Sequence, residues 1–341
     1  MPNRFMWLAL AAVVTIPPLA CGGSYSGGPA CLDQSAPRPA VVATLSSPVR
    51  SFALDLTNVY VTTDGGDVVF LPLAGGASTV VASGQRNPSS VAVGAGGVAW
   101  LNADVSNGDP PSISFRLVVA AHGGAPLDVD SGPFRSALIA ADDANVYVAS
   151  EMGLERVPFD GGTPVAIDPK AVSSALAVDS LGVYWSNGSE LMTLPVGTTQ
   201  PKPMANLSAP LPLIATNSTA VYWLDVHPGA SLTGIDRTQA DHGAPRTLWQ
   251  PTGLPLKLVV DESRAYVLLD VRTTATASDA CGYKIVAVDL TSGAASEFVT
   301  GVPATLGRGY WFETTTIQQN DQSVFWFDAA DVVMHAKPEA Q

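Results

Sequence analysis

One pattern of hydrophobic and polar positions recurs seven times along the chain. Each copy is an apolar segment, a turn residue, and then Val or Ala followed in most copies by an aromatic residue. Comparing the chain with itself therefore predicts a repeat architecture. The copies are FALDLTNVYV (52–61), VAVGAGGVAW (91–100), IAADDANVYV (139–148), LAVDSLGVYW (176–185), IATNSTAVYW (214–223), LVVDESRAYV (258–267) and IQQNDQSVFW (317–326).

Three aligned columns give these copies a physical meaning. A large apolar residue precedes an Asp, Asn or Gly by three positions, and Val or Ala follows four positions later. Asp, Asn and Gly favour tight turns, whereas alternating apolar residues favour half-buried strands, so each copy is predicted to be a β-hairpin. The columns are Phe52, Val91, Ile139, Leu176, Ile214, Leu258, Ile317; Asp55, Gly94, Asp142, Asp179, Asn217, Asp261, Asn320; and Val59, Val98, Val146, Val183, Val221, Ala265, Val324.

The segments between the hairpins predict two more strands for each unit. VVFLPLAGG (68–76) and IVAVDLTSG (285–293) end in glycine-containing turns, and short strands such as STVVAS (78–83) follow. Successive units are 39, 48, 37, 38, 44 and 59 residues apart. Four antiparallel strands per roughly 40–45 residues is the period of a β-propeller, in which neighbouring blades bury each other's faces. We therefore predict an all-β, seven-bladed β-propeller of four-stranded antiparallel blades. The irregular stretch 268–316 leaves six or eight blades as alternatives.

The two chain ends predict how the ring closes. The last unit contains strands at 311–318, 323–327 and 331–336, and the chain then stops without a fourth strand. The apolar segment Pro39–Ser46 can supply that strand, with Val41, Val42 and Leu45 buried. The propeller domain is accordingly placed at residues 40–341.

The first residues predict export. Arg4 precedes an uncharged apolar run that ends at Ala20, which is typical of a secretory signal peptide over residues 1–20. Leu19-Ala20-Cys21 resembles the end of a bacterial lipobox, which implies that Cys21 is lipidated. Pro18 departs from that motif, and ordinary cleavage near Ala20 would instead leave a secreted soluble protein. Residues 21–39, rich in Gly, Ser and Pro, are predicted to form a flexible tether.

Two other cysteines remain, Cys31 and Cys281. The exported compartment is oxidising, so they form a candidate disulfide between the tether and the body, with two unpaired thiols as the alternative. Neither lies in a CxxC motif, which gives no support to a zinc or thiol-redox site.

The charge of the chain narrows the classes of partner. The formal net charge is −13, and the few Lys and Arg are scattered along the sequence. Such a chain repels phosphate backbones, so we expect no nucleic-acid partner. The four histidines show no metal-binding spacing, and no phosphate loop or GxSxG motif occurs. We therefore expect no cofactor, no metal site and no catalytic residue.

The repeated Val-Tyr-Trp phrase and Val-Pro-Phe-Asp-Gly-Gly (157–162) resemble bacterial lipoproteins with TolB-like or YWTD-like propeller domains. The resemblance implies the fold and a binding face formed by the loops between second and third strands. Long loops are predicted there at 101–112, 224–231 and 268–283. They carry the candidate binding residues Asp104, Asn107, Asp109, His227, Arg272 and Asp279.

The function expected from these features is a binding or scaffold module in the cell envelope. Its partners would be the membrane, through a lipid, and an unidentified protein, peptide or glycan. Gly22 after Cys21 is not the Asp that signals inner-membrane retention in many lipoproteins, which favours the outer membrane. A propeller lyase or hydrolase and a purely structural envelope protein are the alternatives.

Overall fold

The structure is a computed structural model that describes residues 40–106, 112–129, 134–171, 175–208, 212–226, 229–236, 243–270, 283–302, 317–320, 322–328 and 331–336. Every regular element within these ranges is a β-strand. They include no helix of the length and apolarity needed to cross a membrane.

Six blades are each built from four strands that follow one another in the chain and pair antiparallel. Blade 1 contains β2 (Val49–Leu54), β3 (Asn58–Thr63), β4 (Val68–Pro72) and β5 (Thr79–Ala82); blade 2 contains β6 (Pro88–Gly94), β7 (Gly97–Ser106), β8 (Ser112–Ala121) and β9 (Leu127–Asp128); blade 3 contains β10 (Ala137–Ala141), β11 (Asn145–Ser150), β12 (Gly153–Pro158) and β13 (Val165–Asp168). Blade 4 contains β14 (Leu176–Asp179), β15 (Gly182–Ser186), β16 (Glu190–Pro195) and β17 (Lys202–Asn206); blade 5 contains β18 (Pro212–Thr216), β19 (Ala220–Asp225), β20 (Leu232–Asp236) and β21 (Arg246–Trp249); blade 6 contains β22 (Leu254–Val260), β23 (Arg264–Asp270), β24 (Tyr283–Asp289) and β25 (Ala295–Val302).

A further four-stranded sheet, which we call the closing sheet, combines both ends of the described chain. Its strands are β26 (Ile317–Gln319), β27 (Ser323–Asp328), β28 (Asp331–Ala336) and β1 (Ala40–Thr44), in that spatial order. The first strands of successive sheets contact one another from β2 through β6, β10, β14, β18 and β22 to β26, and β26 contacts β2. These contacts close a ring. The all-β class and the four-stranded antiparallel blade predicted from the sequence are confirmed. The described residues form six blades and not the predicted seven, and the closing sheet completes the ring.

The repeated columns occupy equivalent positions in this ring. Each residue of the Val/Ala column lies in the second strand of its sheet and is at most 3% exposed. Neighbouring sheets share hydrophobic clusters, as when Tyr60 and Val68 of blade 1 pack with Trp100 of blade 2. The alternation along each strand sends successive side chains to opposite faces, so every sheet packs on both sides.

The Asp/Asn column forms the predicted turns between first and second strands. Oδ1 of Asp142 accepts hydrogen bonds from the backbone N–H groups of Ala144 and Asn145, at 2.8 and 2.7 Å. Equivalent bonds occur at Asp55, Asp179, Asn217, Asp261 and Asn320.

Blade 2 has glycine in this column because blade 3 approaches it closely. A Cβ at Gly94 would lie 1.8 Å from the carbonyl oxygen of Asp142. Side chains at that position are therefore excluded by the neighbouring turn.

The N-terminal strand closes the ring as the sequence predicts. β1 pairs antiparallel with β28, from Ala40 opposite Met334 to Thr44 opposite Asp331. Val42 and Leu45 pack against the hydrophobic cluster of blade 1, so β1 joins the closing sheet to blade 1. The predicted burial of Val41 is wrong, because this side chain is 49% exposed. A bulge between Val41 and Ala43 shifts the register, and the next residues face the core instead.

This closure predicts that the apolar contacts of β1 stabilise the whole ring. The double substitution Val42→Ala and Leu45→Ala should lower the free energy of unfolding by about 2–4 kcal/mol, since both side chains leave part of a packed core. Val41→Ala is the matched control and should change it by less than about 0.5 kcal/mol. Urea denaturation followed by tryptophan fluorescence measures both. Equal effects of the two variants would contradict the assignment of the closing contacts.

Candidate functional site

The ring has two faces with different chemistry. The turn face carries the turns from first to second and from third to fourth strands, such as Asp55–Asn58 in blade 1. The loop face carries the turns from second to third strands, such as 64–67, and the crossings that lead to the next blade. The described candidate residue, Asp104, belongs to the loop face.

The carboxylates of the turn face are occupied by structural hydrogen bonds. The Tyr147 hydroxyl donates to Oδ2 of Asp142 at 2.8 Å, while Oδ1 of Asp142 holds its own turn. Burial, together with this hydrogen bond, raises the pKa of Tyr147 well above its usual value. Burial and the charge of Asp55 similarly raise the pKa of Tyr60 to about 12. Both phenols stay protonated at neutral pH. The carboxylates of Asp55 and Asp142 therefore have a structural role in the turns.

Among the described residues of the loop face, the hairpin of β7 and β8 projects furthest. β7 and β8 are 10 residues each and pair without interruption from Gly97 opposite Ala121 to Ser106 opposite Ser112. The other described second strands are 5 to 7 residues long. The hairpin extends three or more residue pairs beyond them, roughly 10 Å at 3.3 Å per residue.

The prediction of a loop at 101–112 is therefore wrong for 101–106 and for Ser112, which are strand. Polar Asn102 and Asp104 alternate with apolar Ala103 and Val105, and this alternation continues the ladder of the blade. The polar residues of this segment favoured a loop in the sequence-based prediction. They are polar because one side of the hairpin faces solvent.

The other side of the hairpin is braced against blade 3. Phe115 and Phe134 exchange backbone hydrogen bonds of 2.7 and 2.9 Å, which ties β8 to the crossing into blade 3. Both rings belong to the hydrophobic cluster shared by blades 2 and 3. The hairpin is thus held by packing at its base.

The side of the hairpin that faces blade 1 carries an ion-pair triad. Oδ1 of Asp104 accepts a hydrogen bond from Nη1 of Arg86, and Oδ2 accepts one from Nε of Arg116, each at 3.2 Å. The side chain of Asp104 is 31% exposed, whereas those of Arg86 and Arg116 are 81% and 56% exposed. One carboxylate therefore fixes two largely exposed guanidinium groups beside each other.

Two further arginines lie on the same part of the loop face. Arg50 forms an ion pair with Asp64 in blade 1. Arg135 lies in the crossing into blade 3, where the carboxylate of Glu151 accepts the backbone N–H groups of Arg135 and Ser136 at 2.6 and 3.2 Å. Arg50, Arg86, Arg116 and Arg135 together are called the arginine sector. It spans blades 1 to 3 of a chain whose net charge is −13.

The structure locates only part of the predicted site. Asp104 is in strand β7 and pairs with two arginines, rather than lying free in a loop. The parts of 224–231 and 268–283 that are described include strand residues at 224–225, 268–270 and 283, which corrects the predicted loop bounds. The remaining predicted residues lie outside the described ranges: Asn107, Asp109, His227, Arg272, Asp279, Cys21, Cys31 and Cys281.

Sequence inspection missed Arg86 and Arg116, which are 30 positions apart. The distance along the chain conceals that the crossing into blade 2 runs beside β7, as the hydrogen bonds from the Ala103 N–H to the carbonyl groups of Arg86 and Asn87 show. The alternation of polar and apolar residues along β7 and β8 could have indicated part of the site, because it places Asp104 and Arg116 on the same side of the hairpin.

Two ionisable groups elsewhere are desolvated. Burial lowers the pKa of Lys257 in the inner strand of blade 6. Burial raises the pKa of Glu155 in blade 3, where Oε2 is buried without a hydrogen bond. Lys257 and Glu155 belong to different blades, and burial alone accounts for both shifts in pKa. Within the described ranges, no three His, Cys, Asp or Glu side chains cluster as a possible metal site.

A groove follows the seam where the ring closes. Its volume is about 360 Å³, and it lies between β1 and strands β4 and β5 of blade 1. Val42, Leu45, Val69, Leu71 and Val80 contribute an apolar lining. Thr63 and Asp67, which flank Asp64 in the chain, also line the groove.

Comparison with known proteins shows the fold. No protein-family model matches the chain, and no curated protein matches it. A solved structure described as YCF48 bound to D1 peptide is similar with a TM-score of 0.57 and 11% identity, over 92% of this chain and 99% of that one. The virginiamycin B lyase of Staphylococcus aureus has a TM-score of 0.56 and 10% identity, over 87% and 97%. AztD of Citrobacter koseri has a TM-score of 0.51 and 14% identity, over 85% and 82%. The structural similarity supports a β-propeller domain. At identities this low it gives no information on function.

The exposure of the triad predicts that it contributes little to stability. Asp104→Asn should lower the free energy of unfolding by less than about 1 kcal/mol, because exposed ion pairs are screened by water. Asp160→Asn, which loses a carboxylate that holds only a local turn at Gly162, is the comparison. Thermal denaturation at low and high salt measures both. A loss of several kcal/mol at Asp104 alone would show that the triad is a structural element.

Proposed function

We propose that this protein is a binding or scaffold propeller of the cell envelope that recognises a protein, peptide or glycan through its loop face. The projecting β7–β8 hairpin is the observation that carries the proposal. The outer pairs of this hairpin, 104–106 with 112–114, add little to the core, because among these residues only Ile113 packs against the cluster of blades 2 and 3. Folding therefore does not account for their length. It stands on a rigid ring and presents charged side chains to solvent, as recognition elements do.

The propeller neighbours are compatible with this role. One of them is described as bound to a peptide, another is a lyase, and the fold serves both kinds of function. A binding role is favoured over catalysis here because the described loop face offers paired charges without an acid–base or metal cluster.

Anchoring to the envelope is part of the proposal and is supported by the sequence alone. Residues 1–20 have the features of a signal peptide, and Cys21 follows Leu19-Ala20 as in a lipobox. A lipid on Cys21 would hold the propeller at the outer membrane through the 21–39 tether, with a secreted soluble protein as the alternative.

The anchor can be tested directly. Labelled palmitate should be incorporated into the wild-type chain and be absent from Cys21→Ser, because the lipid is carried by that sulfur. Cys31→Ser is the matched control and should be labelled like the wild type. Labelling of the Cys21→Ser protein, or no labelling of any variant, would refute the lipid anchor.

The loop-face role can be tested by shortening the hairpin. Residues 104–114 are replaced by Asn-Gly, which joins the paired residues Ala103 and Phe115 through a two-residue turn and keeps the base of the blade. Cross-linking in envelope extracts, followed by mass spectrometry, should lose the specific partner of the wild-type protein.

The control for this experiment changes the opposite face. Leu56, which is 96% exposed in a turn-face loop, is replaced by Ser. Its partners should be those of the wild type. If the shortened variant is folded and retains every partner, the loop face is not the binding surface.

A further inference from the structure

We propose that the loop face binds an extended acidic peptide, which lies along the inner edge of β7 with its carboxylates paired to Arg86 and Arg116. The inference rests on the proposed function, because it names the partner chemistry of the same face. It is drawn from the triad and from an unpaired strand edge beside it.

The triad leaves most of its hydrogen-bond donors available. Arg86 uses Nη1 and Arg116 uses Nε to contact Asp104. A guanidinium group carries five N–H donors, so each arginine retains donors for another acceptor. Two positive groups share one carboxylate, which leaves an excess of one positive charge at this point. A ligand carboxylate matches both the charge and the forked geometry of a guanidinium group.

Asp104 also reduces the cost of binding. A long exposed arginine loses rotamer freedom when it grips a ligand. Here the common contact with Asp104 already restrains both arginines on the side of the hairpin that faces blade 1. The pair is therefore preorganised for a second carboxylate.

The inner edge of β7 provides the backbone part of the site. β6 begins at Pro88, opposite Asn102, and the Ala103 N–H donates to the carbonyl oxygens of Arg86 and Asn87 at 3.0 and 3.3 Å. Backbone groups of alternate residues point to the same edge, so Val105 directs its N–H and C=O to the same side as Ala103. Among the described residues, none pairs with Val105 on that edge.

The outer edge of the hairpin is covered at its base, where β9 pairs with Val118 and Val119 and the Phe134 bridge covers Phe115. The inner edge is the one beside Arg86, because the crossing that carries Arg86 runs along it. An extended peptide satisfies such an edge with its main chain, whereas a glycan does not offer alternating N–H and C=O groups. The combination of free edge and arginine pair selects an acidic peptide.

The probe is a fluorescein-labelled octapeptide that alternates Glu and Val, so that its extended form presents all carboxylates on one side. Fluorescence anisotropy with the mature full-length protein should give saturable binding that weakens with added salt. The same peptide with Gln in place of every Glu should bind at least about tenfold more weakly.

Two variants locate the site. Arg86→Glu combined with Arg116→Glu should weaken binding of the acidic peptide by about tenfold or more. Val105→Pro removes only the edge N–H and spares the ladder to β8, so it should weaken binding several-fold for both peptides. Lys202→Glu, an exposed charge reversal in blade 4 with half the change in net charge of the arginine variant, should leave the affinity within about twofold of the wild type.

Several outcomes would overturn the inference. They are no binding of the acidic peptide, equal binding of both peptides, an unchanged affinity in the arginine variant, or preference for an oligogalacturonate probe over the peptide. In each of these cases the hairpin-shortened variant still tests the proposed function independently, because its readout is the cross-linked partner and not this probe.

Discussion

A four-stranded sheet with two apolar faces cannot be stable in water by itself, and every other feature of this protein follows from that constraint. Each blade hides its faces against two neighbours, so the row of blades must close or leave two apolar faces exposed. Closure here depends on β1, whose pairing with β28 brings the first described residues beside the last ones. The side chains of Val42 and Leu45 then join the core of blade 1. The contact that ends the row is thus formed by residues separated by almost the whole propeller domain.

Much of this architecture could be predicted because the constraint is imposed at every blade. The Val59-to-Val324 column is buried in each copy, and the turns that precede it use the same short side chain to accept two backbone N–H groups. A repeated requirement leaves a repeated sequence signal. Even the exception at Gly94 has a physical cause, the carbonyl group of Asp142, but that cause lies in another blade and is invisible in a single copy.

The candidate site could be predicted less well, because it arises where one blade departs from the repeat. The segment around Asp104 has the composition of a loop, and only the pairing of β7 with β8 shows that it is a strand. Arg86 enters the site from a crossing, and crossings have no column in the repeat. Arg116 was one of the scattered cations of an acidic chain until the hairpin placed it opposite Asn102. Contacts between segments that are distant in the chain, such as that of Arg86 with Asp104, cannot be predicted from local propensity.

The acidity of the chain acquires a different meaning once its carboxylates are placed. The carboxylates of the turn column accept hydrogen bonds from backbone N–H groups and, at Asp142, from the Tyr147 hydroxyl. They therefore stabilise turns and do not by themselves indicate a cation site. The arginine sector differs from this background because it gathers four positive groups, interspersed with Asp64, Asp104 and Glu151. An acidic peptide would be repelled by the ring as a whole at low ionic strength and attracted within a few ångströms of Arg86 and Arg116. Salt also screens the attraction at Arg86 and Arg116, whose side chains are largely exposed. Discrimination at physiological salt would therefore come from the hydrogen-bonded fit at the β7 edge and not from steering. Binding of this kind would depend on the register of the added strand and on the positions of the peptide's carboxylates.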